Sequence, residues 1–247
     1  MRERRFRVEA VTGETIAVAG AEARHALRVL RLGIGDRVVL FDGDGREVTG
    51  NIRSVSQGRF EVERIGPIRV PGRSRATLTL AAAAPKGARA DWLVEKCAEL
   101  GVQALWFLIT DRGAVIPGDG KLARWRRKAS EAAKQAGHAR IMAIKEPACI
   151  DTVFDAFAGV ARTFYGNPEA DSESLIDAMM QAASADRGAE SHDLILVGPE
   201  GGFTKEETKA IERRGGKPVR LGAATLRVET AAVAAAAIWS CVAGAAR

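Results

Sequence analysis

The chain is poor in the residues that most often carry side-chain chemistry. It has 3 histidines and 3 cysteines in 247 residues. Cys97, Cys149 and Cys241 lie far apart, with no CxxC or Cys/His spacing. That pattern speaks against a disulfide scaffold or a structural zinc site and fits a reducing cytosol. No GxGxxG follows a first strand, no phosphate loop ends in GK[ST], and neither a GxSxG elbow nor a histidine-containing metal motif occurs. Hydride transfer, ATP hydrolysis and serine hydrolysis thus lack their usual signatures. The N-terminal MRERRFRVEA has no signal-peptide apolar run. The apolar tail, residues 231–246, is shorter than the roughly 20 residues that span a bilayer. A cytoplasmic protein with no membrane segment and no metal is expected.

Lysine is missing from the first 75 residues, which hold 15 Arg against 10 Asp plus Glu, a surplus of +5. The remaining residues hold 22 basic and 21 acidic groups. Nearly all of the net charge of +6 therefore sits in the first third of the chain, as arginine. Guanidinium groups suit bidentate phosphate contacts and base stacking. Nucleic acid is the favoured partner; a solvated, arginine-rich surface is the plainer alternative.

Residues 1 to about 70 read as short strands punctuated by Gly and Asp. Asp42-Gly43-Asp44-Gly45 is a hairpin signal, because glycine supplies the positive φ of such turns. One helix over residues 21–30 should place Ala26, Val29 and Leu30 inward and His25, Arg28 and Arg31 outward. Together these suggest a small RNA-binding barrel. Arg4, Arg5, Arg28 and Arg31 are candidates for phosphate contacts. His25 is either an RNA contact or a capping or packing histidine.

Gly66-Pro67 through Pro71-Gly72-Arg73-Ser74 reads as a linker, dividing the chain at 1–72 and 73–247. A strand over residues 77–84 and a helix with Trp92, Leu93, Cys97 and Leu100 on its core face come next. ALWFLIT completes a β-α-β unit, which should be parallel and right-handed, and Gly101 is the expected helix stop. The basic helix closed by Gly137 reads as a solvated face. Residues 184–192 read as a surface connection. About six strands, mostly parallel, are expected from Thr77 onward.

Two glycine-bearing turns close the chain: LILVGPEGGFTKEE, Leu194 to Glu207, and VRLGAATLRVETA, Val219 to Ala231. Each reads as buried strand, glycine-rich turn, then helix start, with Thr204 and Glu207 forming a capping box. Neither turn has the spacing of a metal site or a hydrolytic triad. They offer close backbone approach and free N–H groups at helix N-termini. Ligands of open α/β sheets bind at loops beyond the carboxyl ends of strands. Tyr165–Pro168, Gly198–Gly202 and Leu221–Leu226 are the three candidate loops for a small-molecule cofactor.

LVGPEGGFTKEE followed by LGAATLRVETAA resembles the paired signature of SPOUT methyltransferases of the RsmE type, which methylate N3 of uridine in ribosomal RNA. HALRVLRLGIGDRVVLFDGDG, KGARADWLVEKCAELGV and EAAKQAG resemble further stretches of that family, so the likeness covers essentially the whole chain. It implies a PUA-like β-barrel, an α/β domain with a deep C-terminal trefoil knot, a homodimer, and S-adenosylmethionine as methyl donor. The RNA partner implied is that of the small subunit, as naked 16S RNA or assembled 30S particle. The cofactor residues implied are Val197, Gly198, Pro199, Glu200, Gly201, Gly202, Leu221, Gly222, Leu226 and Arg227; Tyr165 and Gly166 match the family by position only. His138 stands where the family usually has Arg. Arg227 would stabilise charge on the uracil oxygens or form a salt bridge across the knot. Glu200 or Glu229 would take the N3 proton, or simply favour a helix start. Action on tRNA or on a ribose 2′-hydroxyl, and a non-catalytic RNA-binding role, stay open at this point.

Overall fold

The computed structural model describes residues 4–70, 76–157, 161–168, 172–185 and 191–245. The chain divides into two units, Met1–Arg73 with Ala133–Ile141, and Ser74–Ala132 with Met142–Arg247. The first unit thus takes in a short segment from the middle of the sequence.

In the first unit, strands β1 (Arg5–Arg7), β2 (Thr15–Ala19), β3 (Arg37–Phe41), β4 (Glu47–Ser56) and β5 (Arg59–Arg69) make one sheet in the order β1-β3-β4-β5-β2. The β1–β3 pair is parallel and the others are antiparallel. Phe6 of β1 and Phe60 of β5 meet edge-on with ring centroids 5.8 Å apart. Their strands stand three places apart, about 14 Å in a flat sheet of ~4.8 Å spacing. The sheet must therefore roll over itself, and Phe6, Val18, Leu40, Val48, Ile52 and Phe60 share one core.

The single helix expected over residues 21–30 is two pieces: α1 (Gly20–Arg24) and a π-helical turn, His25–Val29. The turn closes with the N–H of Leu30 donating to the carbonyl of His25 at 3.1 Å. The wider turn holds one extra residue, which rotates every later side chain away from α-helical register. Ala23 and Ala26 stay in the core with Leu27 and Leu30 packed against it, but Val29, expected inward, is 65% exposed. Arg31 then ends the helix in the left-handed region, at φ 55°.

The Asp42–Gly45 hairpin forms as expected, with Gly43 at φ 89° and Gly45 at φ 108°. The buried carboxylate of Asp42 accepts the backbone N–H of Asp44 (2.8 Å) and of Arg46 (3.0 Å) and the Nε–H of Arg46 (2.6 Å). Burial alone would push its pKa up, but these donors outweigh it and hold the carboxyl below its ordinary range. A depressed folded pKa stabilises above the unfolded value and is lost as pH falls through the folded one. Asp42→Asn should therefore lower stability by about 1–3 kcal/mol at neutral pH. Urea unfolding should show that gap closing below about pH 4. A gap independent of pH would overturn the account.

The glycines of this hairpin also admit the inserted segment. Gly43 accepts the N–H of Ile141 at 2.9 Å and Gly45 donates to Ala139 at 3.2 Å. A Cβ on Gly43 would stand 2.9 Å from Cδ1 of Ile141. The expected linker is shorter than its composition suggests, because Gly66 to Arg69 belong to β5; residues 71–74 lie outside the described residues.

From residue 76 onward strand and helix alternate: β6 (Ala76–Ala83), α2 (Ala88–Glu99), β7 (Ala104–Leu108), α3 (Asp119–Ala136), β8 (Ala143–Ile144), α4 (Ile150–Asp155), β9 (Ala161–Gly166), β10 (Glu173–Ser174), α5 (Leu175–Ala185), β11 (Ser191–Val197), α6 (Lys205–Arg213), β12 (Lys217–Arg220) and α7 (Val228–Ala245). The sheet has seven strands in the order β10-β12-β9-β11-β6-β7-β8, one more than expected, and every pairing is parallel. On one face Ala81, Tyr165, Leu194 and Leu196 pack with Ile150, Val153 and Phe154 of α4 and Ile211 of α6. Helix α7 lies against β6 and β11, beside α2 and α5. The period of two in β11 turns Asp193 to that second face.

Asp193 is fully buried there. It takes Nε and Nη2 of Arg162 at 2.7 and 2.9 Å and Nε1 of Trp239 at 2.9 Å, tying β9, β11 and α7 together. Its neighbour His192, expected in a surface connection, belongs to β11; its ring lies between the hydroxyls of Thr77 (2.6 Å) and Thr79 (3.1 Å) and stacks on Phe157. Residues 186–190 of that connection lie outside the described residues.

Helix α2 buries Leu93, Val94 and Cys97, but Trp92 is 41% exposed; at about 100° per residue, positions 92 to 94 cannot all face inward. Burial pushes the Cys97 thiol up to about 12. Gly101 follows the helix at φ 80°. The basic charge of α3 is largely paired, Arg124 with Asp91, Arg126 with Glu146 and Lys128 with Glu95. No helix among the described residues is long and apolar enough to cross a membrane.

Candidate active site

The parallel register aligns the three candidate loops. Tyr165 pairs with Leu196 and Val219 with Gly166, so β9, β11 and β12 end side by side. Asn167 donates to Val219 at 2.9 Å, carrying the pairing one residue past β9. A Cβ on Gly166 would stand 3.2 Å from Cδ1 of Leu221, so the first and third loops touch. All three lie at the carboxyl edge where α/β sheets bind ligands.

The three glycines of the central loop are needed for different reasons. A Cβ on Gly198 would press on the Phe203 ring at 3.1 Å, and one on Gly201 would meet Cδ of Arg112 at 3.2 Å. Gly202 is needed for conformation, at φ 70°, closing a turn in which its N–H donates to Pro199 at 2.8 Å. Pro199 is buried and Glu200 is exposed. The loop then enters α6 through the expected capping box. Thr204 accepts the N–H of Glu207 at 3.2 Å, and the Glu207 carboxylate accepts the N–H of Thr204 at 2.7 Å.

The third loop, from Leu221 through Gly222 to Leu226, is largely exposed, as is Arg227. The Arg227 carbonyl accepts the N–H of Ala231 at 2.8 Å and so opens α7. Two residues on, Glu229 is 6% exposed. Its Oε1 stands 3.6 Å from Nη1 of Arg89, and its buried Oε2 has no hydrogen-bond partner. Arg89 comes from the start of α2, after β6, whose Ala82 pairs with Val197 of β11. The loop after the central strand thus adds a side chain to the same edge. Arg89 is missing from the sequence-based candidates, although it lies in the KGARADW stretch that carries the resemblance.

The Tyr165 side chain is taken up below the loops, leaving only its backbone to line them. Its ring is buried against α4 and α6, its hydroxyl donates to Oε1 of Glu212 at 2.9 Å, and it meets Phe203 edge-on. It forms the floor under the loops, not their lining. Val197 is likewise buried, as the last residue of β11. Among the described residues no cluster of His, Cys, Asp and Glu is suited to a metal ion.

In the first unit, His25, Arg28 and Arg31 are exposed on and just after the π-helical turn, with Arg24, Val29 and Ile34 exposed nearby. Arg4 is half-buried. Arg5 departs from the expected phosphate-binding group: its Nη2 bonds Glu47 at 2.6 Å, its guanidinium lies over Phe41, and its side chain is only 9% exposed. An arginine already neutralised and covered has little left for RNA. His138 is half-buried at the end of α3, its N–H donating to Ala133 at 2.9 Å.

Comparison with known proteins is consistent across the chain. An RNA methyltransferase domain matches residues 73–240, and an RNA methyltransferase PUA domain matches residues 18–63. Ribosomal RNA small subunit methyltransferase E of Mycobacterium bovis is 31% identical over 235 residues, covering 91% of this chain and 85% of its own. That of Synechocystis is 28% identical over 233 residues, covering 93% and 74%. The crystal structure of ribosomal RNA small subunit methyltransferase E from Neisseria gonorrhoeae, bound to S-adenosyl methionine, superposes with a TM-score of 0.80 at 26% identity over 96% of each chain.

Proposed function

Since the chain belongs to the RNA methyltransferase family of ribosomal RNA small subunit methyltransferase E, we propose that it methylates N3 of a uridine in 16S ribosomal RNA with S-adenosylmethionine as donor. The observation that carries this reading is the meeting of three backbone-rich loops at one sheet edge, each carrying at least one glycine. That edge fits a small polar cofactor held mainly by backbone groups. Gly166, Gly198 to Gly202, and Leu221 to Leu226 would hold it, and the cofactor supplies an electrophilic methyl group. In the same reading, the α/β unit is knotted at its C-terminus and pairs as a homodimer in the cytoplasm, acting on RNA alone or in the 30S particle.

The chain's own residues have four tasks. The loops hold the reactants in a fixed relation, which supplies much of the rate of a displacement reaction. Arg227, exposed at the mouth of the third loop, offsets negative charge on the uracil oxygens as N3 loses its proton. Glu200 or Glu229 takes the N3 proton; Glu229 has one oxygen facing Arg89 and the other buried with no partner. Glu200 is solvated. In the first unit, His25, Arg28 and Arg31 form the proposed RNA contact, with Arg4 at its margin.

Calorimetric titration with S-adenosylmethionine should give one site per chain, and small-subunit RNA treated with protein and cofactor should yield 3-methyluridine by nucleoside mass spectrometry. Absence of cofactor uptake would leave a binding protein without catalysis. Methylation at a ribose oxygen or on tRNA instead would overturn the substrate.

A further inference from the structure

The turn after β7 has no part in the chemistry just described, yet it is bonded to the central cofactor loop. Strand β7 lies two places from β11, with β6 between them. Its following residues cross the end of β6 to reach that loop. Nη1 of Arg112 donates to the carbonyl of Gly201 at 2.6 Å, and Gly201 has no Cβ to block the arginine stem that lies beside it. The backbone N–H of Asp111 donates to Oε1 of Glu207 at 2.9 Å, on the carboxylate whose Oε2 completes the α6 capping box. The hydroxyl of Thr204 donates to Oδ2 of Asp111 at 3.4 Å. The turn is itself tight: Gly113 donates to the carbonyl of Thr110 at 3.0 Å, and a Cβ on Gly113 would stand 2.8 Å from the Thr110 hydroxyl.

We infer that Thr110–Gly113 clamps the cofactor loop and that Arg112 is a positioning residue for cofactor binding. The inference rests on the S-adenosylmethionine reading of that loop. Its physical basis is preorganisation. The loop between Gly198 and Gly202 has glycines at three of five positions, and an unrestrained glycine-rich segment would lose much freedom on binding a ligand. The Arg112 bond takes hold of the loop at Gly201, between its two other glycines, while the shared Glu207 carboxylate fixes its exit into α6. Arginine suits the position because its stem crosses a neighbouring strand end and its charged donor makes a strong bond to a carbonyl.

The test compares Arg112→Ala and Arg112→Lys with the unaltered protein. Arg112→Ala should bind S-adenosylmethionine about tenfold more weakly by calorimetry, raise the cofactor KM to match, and keep kcat at saturating cofactor within about threefold. Arg112→Lys, which retains a charged donor on a long stem, should recover most of the affinity. Hydrogen exchange at the 198–203 amides of the cofactor-free protein should rise in Arg112→Ala. Cofactor affinity and exchange both equal to those of the unaltered protein would overturn the clamp. So would a fall in kcat at unchanged KM, which would put Arg112 in the chemistry. If the unaltered protein takes up no cofactor, the functional reading falls and the clamp's role falls with it, whereas uptake that Arg112→Ala does not change defeats the clamp alone.

Discussion

Replacing Arg227 with alanine is expected to lower turnover by about 10²- to 10³-fold, the usual cost of removing one group that stabilises developing charge. The protein should remain folded, because the side chain is exposed and the link to α7 that passes through this residue is made by its backbone carbonyl. Arg227→Lys should recover only part of the rate, since an ammonium cannot match the planar fork of a guanidinium across two ring oxygens. The measurement is single-turnover methyl transfer at saturating cofactor and RNA, with the thermal midpoint recorded in parallel. Substantial activity in Arg227→Ala would remove this residue from the mechanism and leave it as a surface charge.

The second large effect concerns stability. Asp193→Ala is expected to cost about 3–5 kcal/mol, because it removes the buried carboxylate that accepts from both Arg162 and Trp239. Three elements lose their common fastening at once: Arg162 sits on β9, Asp193 on β11 and Trp239 on α7. Trp239→Phe removes one neutral donor and should cost nearer 1–2 kcal/mol. Urea unfolding by fluorescence and circular dichroism decides between them. A loss below about 1 kcal/mol for Asp193→Ala would mean that solvent reaches Arg162 readily and that the cluster is not structural.

What could be read in the sequence is what depends on near neighbours. The Thr204–Glu207 capping box, the glycine at the end of α2, the Asp42–Gly45 hairpin and the strand–helix alternation each rest on contacts within a few residues, and all are present. The errors share a cause of the opposite kind. Arg5 read as free charge because its partner Glu47 is 42 positions away. Tyr165 read as a ligand contact because the helix carrying Glu212, which captures its hydroxyl, comes 47 positions later. An α-helical period places Val29 inward, and nothing in HALRVLRLG announces the π-turn that rotates it out. Within the candidate site, the glycine loops were visible as motifs, whereas Arg89 and Arg112 gain their meaning only when the ends of β6, β7 and β11 are brought together.

The order of the seven strands also sets a schedule for making the protein. Strand β6 gains one neighbour early, from β7 about twenty-five residues downstream, but its other edge waits for β11; the pair Thr77 and His192 are 115 positions apart. At translation rates of roughly 5–20 residues per second, that apolar edge stays open for about 6 to 23 seconds after it is synthesised. An unpaired strand edge of that kind is a template for unwanted pairing. The nascent chain, more than the finished enzyme, is therefore where this sheet edge is most open to unwanted pairing.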